Sequence, residues 1–349
     1  MDKKTVAVIF GGCSPEYEVS LKSAYSIISA IDRRKYDVIL IGITKQGLWH
    51  RYTGCVEDIP EDKWQADDTC LRSVVLSPSR GAGLLEIVNG RVAAVPIDVV
   101  FPVLHGANGE DGTIQGLCEL AGIPVVGSGS AASALCMDKD RAHKLVSLAG
   151  LRVPKAVCFE HTPADDEILA AARGLELPVF VKPVKAGSSI GITKVEDFSM
   201  LIEAVRSALL YDDAVIIEEG IDGFETGCSV VGNRELITGR VDEIELTGGF
   251  FDYEEKYTLK TSKIHMPARV DADTERRLQE AAKMIYRTLG CRGYARIDIF
   301  LTNDNEIVFN EANTIPGFTS HSRFPNMMKG VGIGFEQLVD MLIELGITA

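Results

Sequence analysis

The amino-acid sequence predicts an α/β protein whose later part is α+β, and two patterns lead to this prediction. Short apolar runs alternate with helical spacing in the first third of the chain, most clearly from Val19 to Ile31. Such alternation is typical of parallel strands joined by crossover helices. Strand signals then dominate from Glu225 to Phe309, around one long helical stretch at 273–289. The expected strands of the first unit are 4–10, 38–44, 95–103 and 123–126.

Glycine-containing breaks divide the remaining elements into units. The first unit ends near residues 127–130, and a second break at 220–223 is typical of a hinge. A chain of 349 residues has room for two or three domains. The later elements are expected to be helices at 137–148, 198–210 and 334–345 and strands at 154–159, 178–183 and 215–219. We therefore predict an N-terminal domain over 1–130, a small central domain over 131–217 and a C-terminal domain over 218–349.

The composition argues against several classes of protein. Asp and Glu number 50 against 36 Lys and Arg, and the resulting net charge of −14 disfavours binding to a nucleic-acid backbone. No apolar run approaches the ~18 residues that span a bilayer, and the first residues lack the layout of a signal peptide. The 8 cysteines form no CxxC pair, which suits free thiols in a reducing compartment. We expect a cytoplasmic protein without nucleic-acid or membrane partners.

A hairpin near the end of the chain carries the strongest chemical signal. Polar and apolar residues alternate on both sides of a turn at 304–305, which predicts two antiparallel strands. In this register Asp298 lies opposite Glu311, and Arg296 lies opposite Asn313 on the same face. Two carboxylates and an amide oxygen suit Mg²⁺, and the arginine suits a developing oxyanion. An ordinary amphipathic hairpin is the alternative, but it does not explain two acids placed directly opposite each other.

A lysine and a glycine-containing loop in the middle of the chain suit a nucleotide. Lys182 ends an apolar strand beside the loop 187–191, whose small residues let backbone N–H groups approach phosphate oxygens. An ordinary surface loop is an equally good explanation of this pattern alone. The stretch from Glu218 to Ile221 suits a hinge whose backbone reads a base, and Glu225 suits ribose hydroxyls.

Two short motifs are rejected by their context. Residues 127–132 fit GxGxxA, but no acidic residue follows at the spacing that dinucleotide-binding folds require. Residues 187–191 fit GxSxG, but the surrounding strand–loop–strand pattern is not the strand–turn–helix of a nucleophile elbow. A dehydrogenase and a serine hydrolase are therefore disfavoured.

Several segments, each modest alone, occur in one order along the chain. They are 11–20, 105–112, 137–139, 182–183 with 187–191, 251–257 and 310–317. Together they resemble the D-alanine–D-alanine ligases of the ATP-grasp superfamily over nearly the whole length. The resemblance implies an ATP-grasp fold whose N-terminal parallel-sheet domain binds substrate. It also implies a cytoplasmic homodimer that works in peptidoglycan and cell-wall biosynthesis.

The resemblance implies a ligation in two steps. ATP phosphorylates the carboxylate of D-alanine, and the amine of a second substrate then displaces phosphate from the acyl phosphate. A dry cleft is needed because water would hydrolyse the acyl phosphate. The catalytic residues implied are the closing set Glu16, Ser188 and Tyr257, together with Arg296 and the Gly317 backbone N–H at the tetrahedral intermediate.

The same motifs imply the binding residues. Those for the amino-acid substrates are Val19, Ser20, His105, Tyr253, Lys256 and Ser322. Those for ATP are Lys139, Lys182, Ser189, Glu218, Ile221 and Glu225. Two Mg²⁺ ions, with Mn²⁺ as a possible substitute, would be held by Asp298, Glu311 and Asn313. The segment 247–263 would form a mobile lid that excludes water from the acyl phosphate.

Two positions depart from the housekeeping pattern of this family. Arg323 follows Ser322 where the ordinary enzymes carry an apolar residue, and Phe251 stands where they carry Tyr. Both differences resemble the D-alanine–D-serine ligases of vancomycin resistance, particularly the VanG type. An apolar pocket would leave the serine hydroxyl unpaired, at a cost of about 1–3 kcal/mol. Arg323, with Asp242 or Glu243 as its acidic partner, would recover this energy.

Four other activities share parts of this pattern. A housekeeping D-alanine–D-alanine ligase is the main alternative, with Arg323 as a neutral variant. D-lactate is disfavoured as second substrate because the lid keeps Lys256 and Tyr257. A nucleotide-binding regulatory protein would be expected to have lost part of the hairpin set, and a biotin-carboxylase-like ligase would not need Glu16.

Overall fold

The computed structural model describes residues 3–187, 189–246 and 262–348. The strands are β1 (Lys4–Gly11), β2 (Tyr36–Ile43), β3 (Trp49–Tyr52), β4 (Leu71–Leu76), β5 (Leu84–Val88), β6 (Arg91–Val95), β7 (Val99–Val103), β8 (Ala156–Phe159), β9 (Val179–Pro183), β10 (Thr193–Val195), β11 (Val215–Glu219), β12 (Gly223–Val231), β13 (Ile237–Thr238), β14 (Asp242–Leu246), β15 (Ser262–His265), β16 (Tyr294–Thr302) and β17 (Ile307–Asn313). The helices are α1 (Tyr17–Ala30), α2 (Thr113–Ala121), α3 (Ser130–Met137), α4 (Lys139–Leu148), α5 (Asp165–Ala172), α6 (Leu201–Ala208), α7 (Ala272–Thr288), α8 (Arg323–Lys329) and α9 (Phe335–Ile347).

The first sheet has a parallel centre and an antiparallel extension. Its strand order is β6-β5-β4-β3-β2-β1-β7, and β1 pairs in parallel with both β2 and β7. The run from Val6 to Phe10 is fully buried, as expected for a parallel strand covered on both faces. The predicted parallel sheet is therefore confirmed at its centre, but β3 to β6 add antiparallel pairs that the sequence did not predict. The expected strand at 123–126 is reduced to a single bridge between Val125 and Val100.

The middle of the chain forms a small unit with its own core. Its four-stranded sheet has the order β10-β9-β11-β8, and α5 and α6 pack on it through residues such as Ile168 and Val205. The helix α4 before this unit begins because the Asp138 carboxylate accepts the backbone N–H of Arg141. This cap places Lys139 in the first position of α4, at the edge of the cleft described below.

The last sheet carries most of the polar residues of the site. Its strand order is β15-β14-β12-β16-β17, with β13 beside β12. Helix α7 begins at an Asp271 cap and buries Leu278, Ala282 and Ile285 against the apolar face of this sheet. The opposite face is thereby left to line a cleft.

The two ends of the chain share one core. Phe10 and Phe101 of the first sheet lie in the same apolar cluster as Leu338 and Leu342 of α9. The Tyr36 hydroxyl also donates to the Glu344 carboxylate of α9 at 2.6 Å. The predicted division at residues 130 and 217 stays a prediction, and the last helix packs against the first sheet. No helix within the described ranges is long and apolar enough to cross a membrane.

Candidate active site

The predicted hairpin is present, and its register is set by an irregularity. Asp298 lies opposite Glu311, and Arg296 lies opposite Asn313, as the sequence predicts. The pairing shifts by one residue after Asp298, so that Asn310 is the extra residue of a β-bulge. The bulge keeps the apolar residues beyond it on the buried face while it brings the two acids face to face.

A row of directly paired residues continues this arrangement across four strands. Gly227 of β12 lies between Asp242 of β14 and Asp298 of β16, and Asp298 in turn pairs with Glu311 of β17. Directly paired residues point to the same face of a sheet. The row therefore presents the carboxylates of Asp242, Asp298 and Glu311 on the cleft side of the last sheet. Gly227 lies between the first two of them.

Two largely buried arginines neutralise part of this charge. Arg296 donates to both oxygens of Asp298, at 2.8 Å from Nε and 2.7 Å from Nη2. The Asn313 side-chain amide donates to the same carboxylate at 3.0 Å. Burial by itself would lower the pKa of Arg296, but the nearby Asp298 carboxylate outweighs it and raises the pKa. The guanidinium group is therefore a permanent cation inside the cleft.

The second arginine lies over the glycine of the row. Arg323 of α8 donates to Asp242 from Nε and Nη2, both at 2.8 Å, and to Glu225 from Nη1 at 3.1 Å. A methyl group on Gly227 would lie 2.4 Å from Arg323 Nη2 and 2.7 Å from Asp242 Oδ1. The glycine is therefore needed to admit the ion pair. Of the two acidic partners considered from the sequence, Asp242 holds Arg323, whereas Glu243 pairs with Arg269 at 2.5 Å.

The larger cavity brings together predicted residues from all four groups: catalytic, substrate-binding, ATP-binding and metal-binding. It has a volume of about 690 Å³ between α1, the loop after β7 and the cleft face of the last sheet. The predicted residues that line it are Glu16, Val19, His105, Lys139, Arg296, Glu311, Asn313, Gly317, Ser322 and Arg323. Ser20 lies apart from it, because its hydroxyl is buried between the Gly11 N–H and the Val103 carbonyl.

Sequence reasoning did not single out one buried acid of this cavity. Glu110 lines it and accepts the backbone N–H of Gly106 at 2.8 Å. Burial, reinforced by the charge of Glu16, raises the pKa of Glu110 to about 8. Nothing in the spacing of the segment 105–112 distinguishes Glu110 from the other polar residues there.

A second cavity of about 420 Å³ contains the residues predicted for the nucleotide. Lys182 and Glu218 form a buried ion pair of 2.5 Å on adjacent strands. Lys139 donates to the Ala186 carbonyl at 2.8 Å. The predicted residues that line this cavity are Lys139, Lys182, Ser189, Glu218, Ile221 and Glu225. Lys139 and Glu311 line both cavities, so the two spaces meet between these side chains.

His143 is a further buried group that the sequence reading treated as unremarkable. Its Nδ1 lies 3.6 Å from Glu218 Oε1, and its Nε2 contacts the carbonyl of the bulge residue Asn310 at 2.7 Å. Burial would raise the pKa of Glu218, but Lys182 and His143 outweigh it and lower the pKa. One feature of the sequence could have indicated His143: it lies four residues after Lys139, and this spacing places both side chains on one face of α4.

Comparison with known proteins decides the family. The model "D-ala D-ala ligase N-terminus" matches residues 5–128, and "D-ala D-ala ligase C-terminus" matches residues 145–344. The chain belongs to the D-alanine–D-alanine ligase family. The ATP-grasp fold predicted from the sequence is confirmed by the structural matches to ligases of this family.

Three relatives match nearly end to end. The crystal structure of VanG D-Ala:D-Ser ligase from Enterococcus faecalis is 57% identical, with a TM-score of 0.92 and 99% of each chain covered. Vancomycin C-type resistance protein VanC1 of Enterococcus gallinarum is 45% identical, with 98% of each chain covered. A D-alanine–D-alanine ligase of Caldicellulosiruptor bescii is 44% identical, covering 99% of this chain and 96% of that protein.

The use of ATP and a divalent metal is general to this ligase family, and the cleft suits a cation. The three carboxylates of the row and the adjacent carboxylate of Glu225 carry four negative charges. Arg296 and Arg323 carry two positive charges, which leaves a net charge of about −2. No group of three His, Cys, Asp or Glu side chains within the described ranges is placed to hold a metal. The oxygen donors that fit are therefore the mixed set Asp298, Glu311 and Asn313, which suits a hard cation completed by phosphate oxygens.

Part of the ligase site predicted from the sequence falls on residues that are not described. The lid 247–263 lies outside the described residues except for its last two positions. The predicted site residues that also lie outside the described residues are Ser188, Phe251, Tyr253, Lys256 and Tyr257. Their roles stay predictions.

Proposed function

We propose that the protein is an ATP-dependent ligase that joins D-alanine to D-serine through D-alanyl phosphate. A carboxylate oxygen of D-alanine attacks the γ-phosphorus of ATP and ADP leaves. The amine of D-serine then attacks the acyl carbon, the C–O bond to phosphate breaks, and the amine loses a proton. The observation that carries the choice of D-serine is the buried Arg323–Asp242 pair, of which Arg323 lines the larger cavity.

The residues around the cavities fit the two steps. Lys139 and Lys182 supply positive charge on the nucleotide side, and Glu16 on the opposite side suits the ammonium group of D-alanine. Arg296 and the Gly317 backbone N–H suit the oxyanion of the tetrahedral intermediate, since both line the larger cavity. A metal ion held by the mixed oxygen set would neutralise the charge of the transferring phosphoryl group. Positioning does the remaining work, because little covalent chemistry is asked of the side chains.

The second substrate is inferred from the polarity of the cavity wall. A wall that accepts only a methyl group leaves a serine hydroxyl without a partner, at a cost of about 1–3 kcal/mol. Arg323 is held rigidly by two hydrogen bonds to a fully buried Asp242, so its guanidinium group is a fixed polar feature. The name of the 57% identical VanG structure, a D-Ala:D-Ser ligase, supports the same choice.

A D-alanine–D-alanine ligase is the second candidate. The 44% identical relative from Caldicellulosiruptor bescii carries that name and aligns over 99% of this chain. In this case Arg323 would form part of the wall without contacting the side chain of the second substrate. The dipeptide would be the ordinary peptidoglycan precursor rather than one with reduced vancomycin affinity.

Product identification separates the two candidates. ADP release is measured with Mg²⁺–ATP and D-alanine, with and without excess D-serine, and the dipeptides are quantified by mass spectrometry. We expect D-alanyl-D-serine to predominate when both amino acids are present. Predominance of D-alanyl-D-alanine in excess D-serine would establish the second candidate, and the absence of amino-acid-dependent ADP would refute both.

A further inference from the structure

The loop that carries Gly317 is held from one side by the first part of the chain. The Ile315 N–H donates to Glu110 at 3.3 Å, and the Ile315 carbonyl accepts from His105 Nδ1 at 2.9 Å. Further along, the Phe318 N–H donates to the Ser23 hydroxyl at 3.3 Å. These three contacts bracket Gly317 on both sides, although they come from residues about 200–300 positions away.

The hydrogen-bonding roles of these groups follow from the acceptors. A backbone carbonyl only accepts, so His105 must carry its hydrogen on Nδ1, the atom that faces Ile315. Burial lowers the pKa of His105, and the neutral ring then has a lone pair on Nε2. Ser23 Oγ lies 3.1 Å from that nitrogen, so its hydroxyl donates to the ring while it accepts from Phe318.

The result is one continuous chain of hydrogen bonds. It runs from the Phe318 amide through the Ser23 hydroxyl and the His105 ring to the Ile315 carbonyl. Ser23 is fully buried and His105 is only 4% exposed, so water does not replace these contacts. The chain closes a loop of backbone whose interior contains Gly317, which also lines the larger cavity.

We propose that Ser23 is a positioning residue that sets the direction of the Gly317 backbone N–H toward the oxyanion of the tetrahedral intermediate. This inference rests on the proposed ligase function. Only a side chain that both donates and accepts completes the chain, which an alanine cannot do and a thiol does weakly. Ser23 lines the larger cavity but not the nucleotide cavity, which Lys139 and Lys182 line. Its loss should therefore slow the attack on the acyl phosphate more than the phosphorylation of D-alanine.

The test is a single-turnover rapid-quench experiment on the full-length enzyme in which ADP and dipeptide are followed in the same samples. We expect Ser23→Ala to slow dipeptide formation about tenfold, less than the 10²–10³-fold loss typical of removing an oxyanion donor. At saturating D-alanine, ADP formation and the KM for ATP should stay within about twofold of the wild type. Ser23→Cys should give an intermediate rate of dipeptide formation, since its hydrogen bonds are weaker.

Ser26→Ala is the matched control, because its hydroxyl lies one turn along α1 and, among the described residues, donates only to the Lys22 carbonyl at 3.0 Å. We expect both of its rates to equal those of the wild type. Thermal midpoints are measured for every variant. Equal slowing of ADP and dipeptide formation in Ser23→Ala, or an unchanged dipeptide rate, would overturn the positioning role. Absence of D-alanine-dependent ADP in the wild type would instead refute the proposed function, and this inference with it.

Discussion

Replacement of Asp242 by Asn is the sharpest perturbation of the buried ion pair. The carboxylate is fully buried and receives two hydrogen bonds of 2.8 Å from Arg323. An amide of the same shape keeps one oxygen acceptor but turns an NH₂ group toward a guanidinium N–H. One of the two hydrogen bonds is lost, and Arg323 keeps Glu225 as its remaining partner at 3.1 Å. The guanidinium group is therefore expected to shift from Asp242 toward Glu225.

The magnitude follows from the hydrogen bonds involved. A hydrogen bond to a charged group contributes about 1.5–3 kcal/mol, so the variant should unfold at a lower temperature. The preference for D-serine depends on a fixed guanidinium group, and its partial displacement should remove about half of the hydroxyl's energy. Half of about 1–3 kcal/mol is about 1 kcal/mol, which is about a fivefold fall in the ratio of kcat/KM for D-serine to that for D-alanine.

The ratio is the quantity to measure. Both amino acids are supplied as second substrates in competition at saturating Mg²⁺–ATP, and the two dipeptides are quantified by mass spectrometry. The fraction of folded enzyme cancels in such a ratio, so a loss of stability does not imitate a loss of specificity.

Glu243→Gln is the matched control, because this acid is adjacent in sequence and pairs with Arg269 at 2.5 Å. Its ratio of D-serine to D-alanine products should equal that of the wild type. An unchanged ratio in Asp242→Asn would refute the role of the Arg323–Asp242 pair in choosing the second substrate. An equal fall in both variants would point to a general effect of lost charge on β14.

Four further outcomes follow from the site. Gly227→Ala should reduce the same product ratio, because its methyl group would lie 2.4 Å from a guanidinium nitrogen and displace the pair; competition assays check this. Lys182→Met should lower the free energy of unfolding by about 3 kcal/mol, since the buried carboxylate of Glu218 loses its hydrogen-bonded lysine and keeps only His143 at 3.6 Å as an ion-pair neighbour among the described residues. Adding Glu218→Gln should restore most of this stability in denaturant titrations, while the KM for ATP stays raised. The raised pKa of Glu110 means that the folded state favours its protonated form. Its contribution to stability is therefore present at low pH and is lost as the pH rises from 4.5, the ordinary pKa of a glutamate, to about 8. Glu110→Gln should flatten this part of the pH dependence of the free energy of unfolding. Chelation of divalent cations should stop ADP release, and Glu311→Gln should raise the Mg²⁺ concentration needed for half-maximal rate.

Local patterns in the sequence predicted the parts of the fold that depend on neighbouring residues. The centre of the first sheet was readable because its buried strands are continuous apolar runs, such as Val6 to Phe10. The hairpin was readable because a turn residue with a positive φ of 61°, Asn305, separates two alternating strands. The antiparallel strands β3 to β6 were missed because they are only four to six residues long and partly exposed, which leaves little periodicity to detect.

The sequence by itself determined the family, the hairpin acids and the candidate residues of both substrate sides, because motifs in a fixed order need no knowledge of distance. Only the tertiary structure decided which residues meet. It placed Arg323 on Asp242, 81 positions away, and left Glu243 to Arg269. It also brought Ser23 beside Phe318, 295 positions away. Such contacts depend on how separate sheets and helices pack their apolar faces, and no local spacing of residues encodes that packing.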